Sequence, residues 1–348
     1  PLFATFLHAS GFDLIIRRGA DQKTLKRGIE SANVPYCAPM QQAVGVTRAL
    51  VDERPDFLFL PMVRSLPRVK DETTATVCPI VQASPDILRA DLGDSTATEI
   101  LRPVIDIGPG NLASAHFRRS VARLARGLDI PLPVWVSAYR LARAAQEAFD
   151  SACAAIGDRA LTFCRQHAVT PVVILGRAYT IHNTVLNSNV PAIVREQGAL
   201  PIPVDCYPVA DETPSFERVY WGYAQRSLRA AHQIRRRRRE YAVYCSNYSC
   251  GPDSFNLHFF ADAMAGKPFA VIETDGHSGD AGTKTRIEAF LHCVREDERA
   301  MGSLRAKQND FTRIDQNTVA MADIKRQGEV LLIPRMGSNA EVLAAAYR

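Results

Sequence analysis

Short runs of apolar and β-branched residues recur along this chain, with helix-period stretches between most of them. This alternation limits the fold more than any other feature. The runs are Asp13–Ile16, Phe57–Pro61, Pro103–Ile107, Pro171–Leu175, Pro201–Val204, Ala242–Cys245, Phe269–Glu273 and Val330–Ile333. Runs of this kind suit strands buried on both faces. The helical stretches are Gln41–Glu53, Ser84–Asp91, Val190–Gln197, Phe216–Arg237, Ser254–Met264 and Lys284–Arg295. Strands and helices in turn predict an α/β protein, with two or more Rossmann-like domains and mainly parallel sheets.

One segment breaks the rhythm. Trp135–Gln166 reads as a single extended helix with no strand inside it. We therefore expect an N-terminal α/β domain over 1–168, carrying Cys37 and Cys78. A second α/β domain, carrying Cys250, is expected over 169–348 and is cut short at its C-terminal end. The chain starts without methionine and closes on the helical pattern EVLAAAYR, so a piece of a longer polypeptide is expected.

Composition excludes several classes. An apolar fraction of 47% is too high for a disordered chain. The net charge is only +5, and the one dense basic block, Arg235–Arg239, reads as a solvated helix end, so no nucleic-acid partner is expected. No apolar run reaches the ~18 residues of a membrane span. The opening residues lack the basic segment and cleavage site of a secretory signal. A cytoplasmic location is expected.

In that compartment the eight cysteines stay reduced. No CxxC pair exists, which argues against a compact zinc finger. Cys37, Cys78 and Cys250 share a context: Pro follows one or two residues later and a helical pattern begins. Proline suits the first helical turn, so each thiol is expected at a helix N-terminus, where free N–H groups lower its pKa. From the chemistry alone three readings stay open: buried structural thiols, a nucleophile, or three thiolates holding an iron–sulfur cluster with one open coordination position. Cys245, at a strand end, is a weaker ligand candidate, and Cys153, Cys164, Cys206 and Cys293 read as core. Asp106-Ile-Gly-Pro-Gly-Asn reads as a turn rather than a phosphate loop.

Two histidines stand where ligands bind α/β proteins, after strands of a parallel sheet. His277 lies in Asp-Gly-His-Ser-Gly-Asp-Ala-Gly, and His182 lies in Tyr-Thr-Ile-His-Asn. Each is a candidate catalytic residue, with a satisfied turn or cap as the alternative. Asp280 reads as the cap of the following helix.

Four blocks carry a resemblance that spans nearly the whole chain. They are PYCAPMQQAVGVTRALVDERPDFLFLPMV, TVCPIVQASPDILRADL, ILGRAYTIHNTVLNSNVPAIV and YCSNYSCGPDSFNLHFFADAMAGKPFAVIETDGHSGDAGTKTRIEAFL. The chain resembles the 2-hydroxyacyl-CoA dehydratase and benzoyl-CoA reductase component superfamily, most nearly the dehydratase-like domain of large fused CoA-enzyme activase proteins. The resemblance implies a [4Fe–4S] cluster on Cys37, Cys78 and Cys250, at helix N-termini between α/β domains. It implies an ATP-dependent activase, in cis or in trans, as electron donor, and an acyl-CoA or similar small molecule as substrate. The activity would be that of a dehydratase-like lyase or an ATP-dependent reductase component, with a dimer compatible with either. His277 would then donate a proton, or a hydrogen bond to a cluster sulfur. A non-catalytic scaffold or electron relay that docks an activase is the alternative.

Overall fold

The computed structural model describes residues 1–17, 19–32, 34–70, 72–93, 97–275, 279–300, 321–328, 330, 333 and 338–346. They fall into two compact units, 1–312 and 313–348. The second unit contains two short helices, Met321–Gln327 and Ser338–Ala346. Everything below concerns the first.

The centre of that unit is a four-stranded, all-parallel sheet. In chain order its strands are β5 (Pro171–Gly176), β6 (Leu200–Pro203), β7 (Tyr241–Asn247) and β8 (Phe269–Thr274), arranged β6-β5-β7-β8. Every residue of β5 and β7 is buried, which explains the apolar runs Pro171–Leu175 and Ala242–Cys245 within them. The two central strands approach closely where β5 ends. Gly176 has φ +137°, and a Cβ there would meet the Cys245 carbonyl oxygen at 2.4 Å. Only glycine fits that position.

Four helices accompany the sheet: α8 (Val190–Glu196), α9 (Gly222–Arg236), α10 (Gly251–Ala263) and α11 (Asp280–Arg299). A four-residue α7 (Ala178–Ile181) follows β5. The basic run closes α9, with Arg235 donating to the Ala265 carbonyl at 2.9 Å and Arg239 lying 3.7 Å from Glu298. The expected helix end is therefore observed.

The N-terminal part is built differently from the expected Rossmann-like domain. Its strands form two short parallel pairs: β1 (Phe57–Phe59) with β3 (Glu99–Leu101), and β2 (Met62–Val63) with β4 (Val104–Ile105). Pro61 and Pro103 lie in the gap between the pairs, where neither can donate a ladder hydrogen bond. Around them pack α1 (Leu2–Ala9), α2 (Gln22–Ser31), α3 (Ala38–Val51), α4 (Pro79–Leu92) and α5 (Ala115–Gly127). Phe6, Ile105, Phe117, Val121 and Tyr139 form one apolar core there, and Met40, Val44 and Leu88 a smaller one between α3 and α4. The long α6 (Leu132–His167) ends just before β5.

Three sequence readings need correction or completion. Asp13–Ile16 is not a strand: among the described residues it pairs with no strand, and Ile15 and Ile16 are exposed. The run at 330–333 lies largely outside the described residues. Asp106–Asn111 is a turn as expected, with Gly108 and Gly110 at positive φ and the Asn111 amide clasping the Arg68 backbone. Among the described residues no helix is long and apolar enough to cross a membrane.

Candidate functional site

Three helices begin on a cysteine. Cys37 is the N-cap of α3, Cys78 of α4 and Cys250 of α10, with Pro39, Pro79 and Pro252 in their first turns. The Cys-Pro spacing thus does what its chemistry suggests, because proline's fixed φ and missing N–H cost nothing at a helix start. In α4 a second proline, Pro85, lies inside the helix. It cannot donate to the Val81 carbonyl, and the Ser84 hydroxyl does so instead at 2.8 Å.

Cys250 sits at the point where chain topology places ligand sites. From β5 the chain moves outward to β6, then returns across β5 to β7, so the carboxyl ends of β5 and β7 flank a topological switch point. Arg177 follows β5 and Cys250 follows β7. The turn into Cys250 is strained, since Ser249 has φ 64° without being glycine. We expect Ser249→Gly to stabilise the fold by about 1 kcal/mol, read as a higher urea midpoint. A lower midpoint would show that the serine is not strained there.

Two sets of contacts bring the other cysteine helices to this sheet. The Gln42 amide of α3 donates to Asn183 Oδ1 at 3.4 Å, and Asn183 donates to the Ala20 carbonyl at 3.0 Å. Before α4, Thr76 bridges to Trp221: its N–H donates to the Tyr220 carbonyl, and its carbonyl accepts from Gly222 N–H.

Beside the Cys250 helix start lies a buried polar network. Arg177 Nη2 is 2.9 Å from Asp253 Oδ2 and donates to Asn247 Oδ1 at 3.0 Å. Both charged side chains are about 95% buried, at 5% and 6% exposed. Asp253 also accepts from Ser246 at 2.7 Å and Tyr244 at 3.2 Å. Asn247 donates to the Leu186 carbonyl and to Thr274 Oγ1, both at 2.9 Å. The guanidinium lies over the Tyr179 ring, 5.2 Å from its centroid, and Tyr179 meets Tyr223 edge-on at 5.9 Å. Arg177 Nε is buried without a partner among the described residues.

The thiols form one electrostatic group. Burial pushes the Cys37 thiol above its ordinary pKa, while the Met40 amide and Arg177 pull it down and neighbouring Cys78 pushes it up. Burial likewise lifts Cys250 to about 12, helped by Asp253 and Cys37 and opposed by Arg177. Cys37 therefore senses Cys78 and is sensed by Cys250, although the three are far apart in sequence. For Cys37 and Cys250 this corrects the expectation of a lowered pKa: helix-start amides pull as expected, but desolvation is larger. Burial also works against the charge of Arg177, yet Asp253, Tyr179 and Cys250 more than offset it and hold the guanidinium ionised. Among the described residues, no three His, Cys, Asp or Glu side chains converge closely enough to hold a single metal ion.

The remaining candidates scatter. His182 is half-exposed, and its Nε2 is 2.9 Å from Asp205 Oδ2. Asp205 in turn acts on Tyr223, which connects this pair to the rim of the thiol group. His277 lies outside the described residues. Asp280 is the first residue of α11 rather than its cap, and accepts from Asn189 at 2.8 Å. Cys245 is buried within β7. Cys164 is core, but Cys153 and Cys206 are only half-buried and Cys293 is exposed. The buried stripe of α11 runs through Ile287, Leu291 and Val294, and Cys293 falls off it.

Sequence reasoning passed over Arg177, Asn247 and Asp253 as site residues. One local signal existed for Arg177: an arginine directly after an all-apolar strand, at the edge where parallel sheets bind ligands.

A parallel α/β protein with Cys-capped helices around a switch point is the class these observations define. Residues 1–207 match the family described as CoA enzyme activase uncharacterised domain (DUF2229), and the chain belongs to that family. The matched region contains Cys37, Cys78, Arg177 and His182, and ends before Cys250. No curated protein matches the chain.

Proposed function

We propose that this protein holds one [4Fe–4S] cluster through Cys37, Cys78 and Cys250, and takes low-potential electrons from an ATP-dependent activase, in cis or in trans. The electrons serve reduction or dehydration of an acyl-CoA or similar small molecule. This reading places the chain in the 2-hydroxyacyl-CoA dehydratase and benzoyl-CoA reductase component superfamily. The observation that carries it is the grouping of three Cys-capped helix starts around the switch point.

The residues suit such a group. A cubane takes each thiolate on a different iron, so its ligands stand further apart than those of a single ion, and three cysteines leave one iron open. Three helix N-termini and a buried guanidinium supply positive potential for an anionic cluster. Arg177 Nε, buried and unpartnered, is a donor suited to a sulfide. When bound, the cluster supplies an electron of low potential to a substrate carbonyl.

The chain's own groups do the rest. Cys37, Cys78 and Cys250 hold the iron. Arg177, fixed by Asp253 and Asn247, balances negative charge without needing to move. The Tyr179–Tyr223 pair walls one side against water. His182, with Nε2 held by Asp205, keeps Nδ1 for proton exchange with a substrate hydroxyl, and His277 is a second proton donor. A relay or scaffold that docks an activase shares the same cluster but turns over no substrate. The family description names a CoA enzyme activase and no substrate, which suits that second reading as well.

Replacement of a ligand tests the reading. Cys250→Ser is expected to lose most of the bound iron, and the exposed-thiol control Cys293→Ser to keep it. Iron content and visible spectrum unchanged in Cys250→Ser would overturn the ligand assignment.

A further inference from the structure

A second pair of thiols meets away from the candidate cluster site. Cys153 stands in the middle of α6, and Cys206 in the turn after β6. The Cys153 side chain lies close enough to raise the Cys206 thiol, and both are reduced and half-buried. The backbones are in contact as well. Gly157, one helical turn beyond Cys153 and on the same face, presses on this turn so closely that a Cβ there would stand 1.6 Å from the Cys206 carbonyl oxygen.

We propose that Cys153 and Cys206 are a redox-active dithiol, which closes to a reversible disulfide and locks the middle of α6 onto the turn after β6. The reaction balances with a disulfide oxidant such as oxidised glutathione. Cys153 attacks the oxidant, releasing one glutathione thiolate and forming a mixed disulfide. Cys206 Sγ then attacks Cys153 Sγ, and the second glutathione leaves. In all, two thiol protons and two electrons pass to the oxidant, which becomes two thiols.

The environment sorts the two roles. Burial, the Cys153 sulfur and Asp205 push the Cys206 thiol up to about 11. Cys206 therefore stays protonated, which suits it to the resolving role and leaves Cys153 to attack first. A reactive thiol backed by a resolving partner is the arrangement redox-sensing cysteines use, and disulfides of this type form transiently even in reducing compartments.

The lock would reach the candidate site through one residue. Asp205, next to Cys206, holds His182 and acts on Tyr223, which packs against Tyr179 beside Arg177. Fixing the turn fixes that chain of contacts. The proposal needs no cluster, so it can fail or succeed independently of the function proposed above.

The test titrates the full chain with mixtures of reduced and oxidised glutathione, followed by non-reducing peptide mapping. The expected result is one cross-linked peptide joining Cys153 to Cys206, about 2 Da lighter than its reduced parts and reversed by dithiothreitol. Hydrogen exchange in the middle of α6 should slow when it forms. Cys153→Ser and Cys206→Ser should each abolish the cross-linked peptide, and Cys206→Ser should leave stable glutathione on Cys153. The proposal is overturned if wild type keeps separate glutathione adducts, or if either cysteine pairs elsewhere.

Discussion

Arg177→Met is expected to destabilise the protein by about 3 kcal/mol, at the lower end of the ~3–5 kcal/mol range for breaking a buried ion pair. The loss does not come mainly from the attraction between Arg177 and Asp253. It comes from leaving the Asp253 carboxylate, 6% exposed, without its cation. Ser246 and Tyr244 still donate to that carboxylate, which is why the lower end applies. Asn247 keeps its hydrogen bond from Thr180 at 2.8 Å, so that part of the network survives. Removing both charges, in Arg177→Met with Asp253→Leu, should recover much of the loss, because replacing a buried pair by apolar groups is often close to neutral. Urea denaturation of the two single variants and the double variant measures this as a cycle. A loss below about 1 kcal/mol for Arg177→Met would place the pair in the exposed class, contradicting the burial on which the site description depends.

The second large effect concerns the helix that presents Cys37. Helices α2 and α3 meet backbone to backbone at Gly28 and Gly45. A Cβ on Gly28 would stand 1.7 Å from the Gln41 carbonyl oxygen, and one on Gly45 would stand 2.0 Å from the Thr24 carbonyl oxygen. Two effects oppose each other in Gly28→Ala. Helix propensity favours alanine by about 1 kcal/mol. Overpacking costs about 1–3 kcal/mol, and here the obstacle is backbone, which no rotamer change can clear. We expect the second to win, with a net loss of about 2 kcal/mol and a displaced start of α3. The sign decides the matter: a stabilised Gly28→Ala would mean that propensity prevails and that the helices are not in contact at these glycines.

These two cases mark what the sequence could and could not reveal. The fully buried strands were legible because burial on both faces leaves an apolar run: β5 and β7 fall where such runs lie. The helices after Cys37, Cys78 and Cys250 were legible because proline marks a helix start locally. The helices α1, α2 and α5 were not recognised: α1 and α2 bury only two residues each, and α5 has the polar Ser120 in its buried stripe. Asp13–Ile16 misled for the opposite reason: an apolar run does not become a strand without a partner. The Arg177 network was beyond local reading, because its meaning depends on Asn247 and Asp253 at the end of another strand. The Cys37 and Cys250 thiols went the opposite way from the expectation for a related reason. A helix start is visible in sequence, whereas the burial that outweighs it belongs to the tertiary fold. The contact between Cys153 and Cys206 likewise has no sequence signature, being made by a long helix passing over a distant turn.

The central claim is that three separate helix starts hold one cluster. Iron and acid-labile sulfide per chain, measured on protein purified without oxygen and reconstituted with iron and sulfide, test it most directly. Visible absorption and EPR spectra recorded on the same samples identify the cluster type. The account predicts about four of each per chain, with both falling together when Cys37, Cys78 or Cys250 is replaced. A folded wild-type chain that takes up no iron and sulfide above trace levels would contradict it.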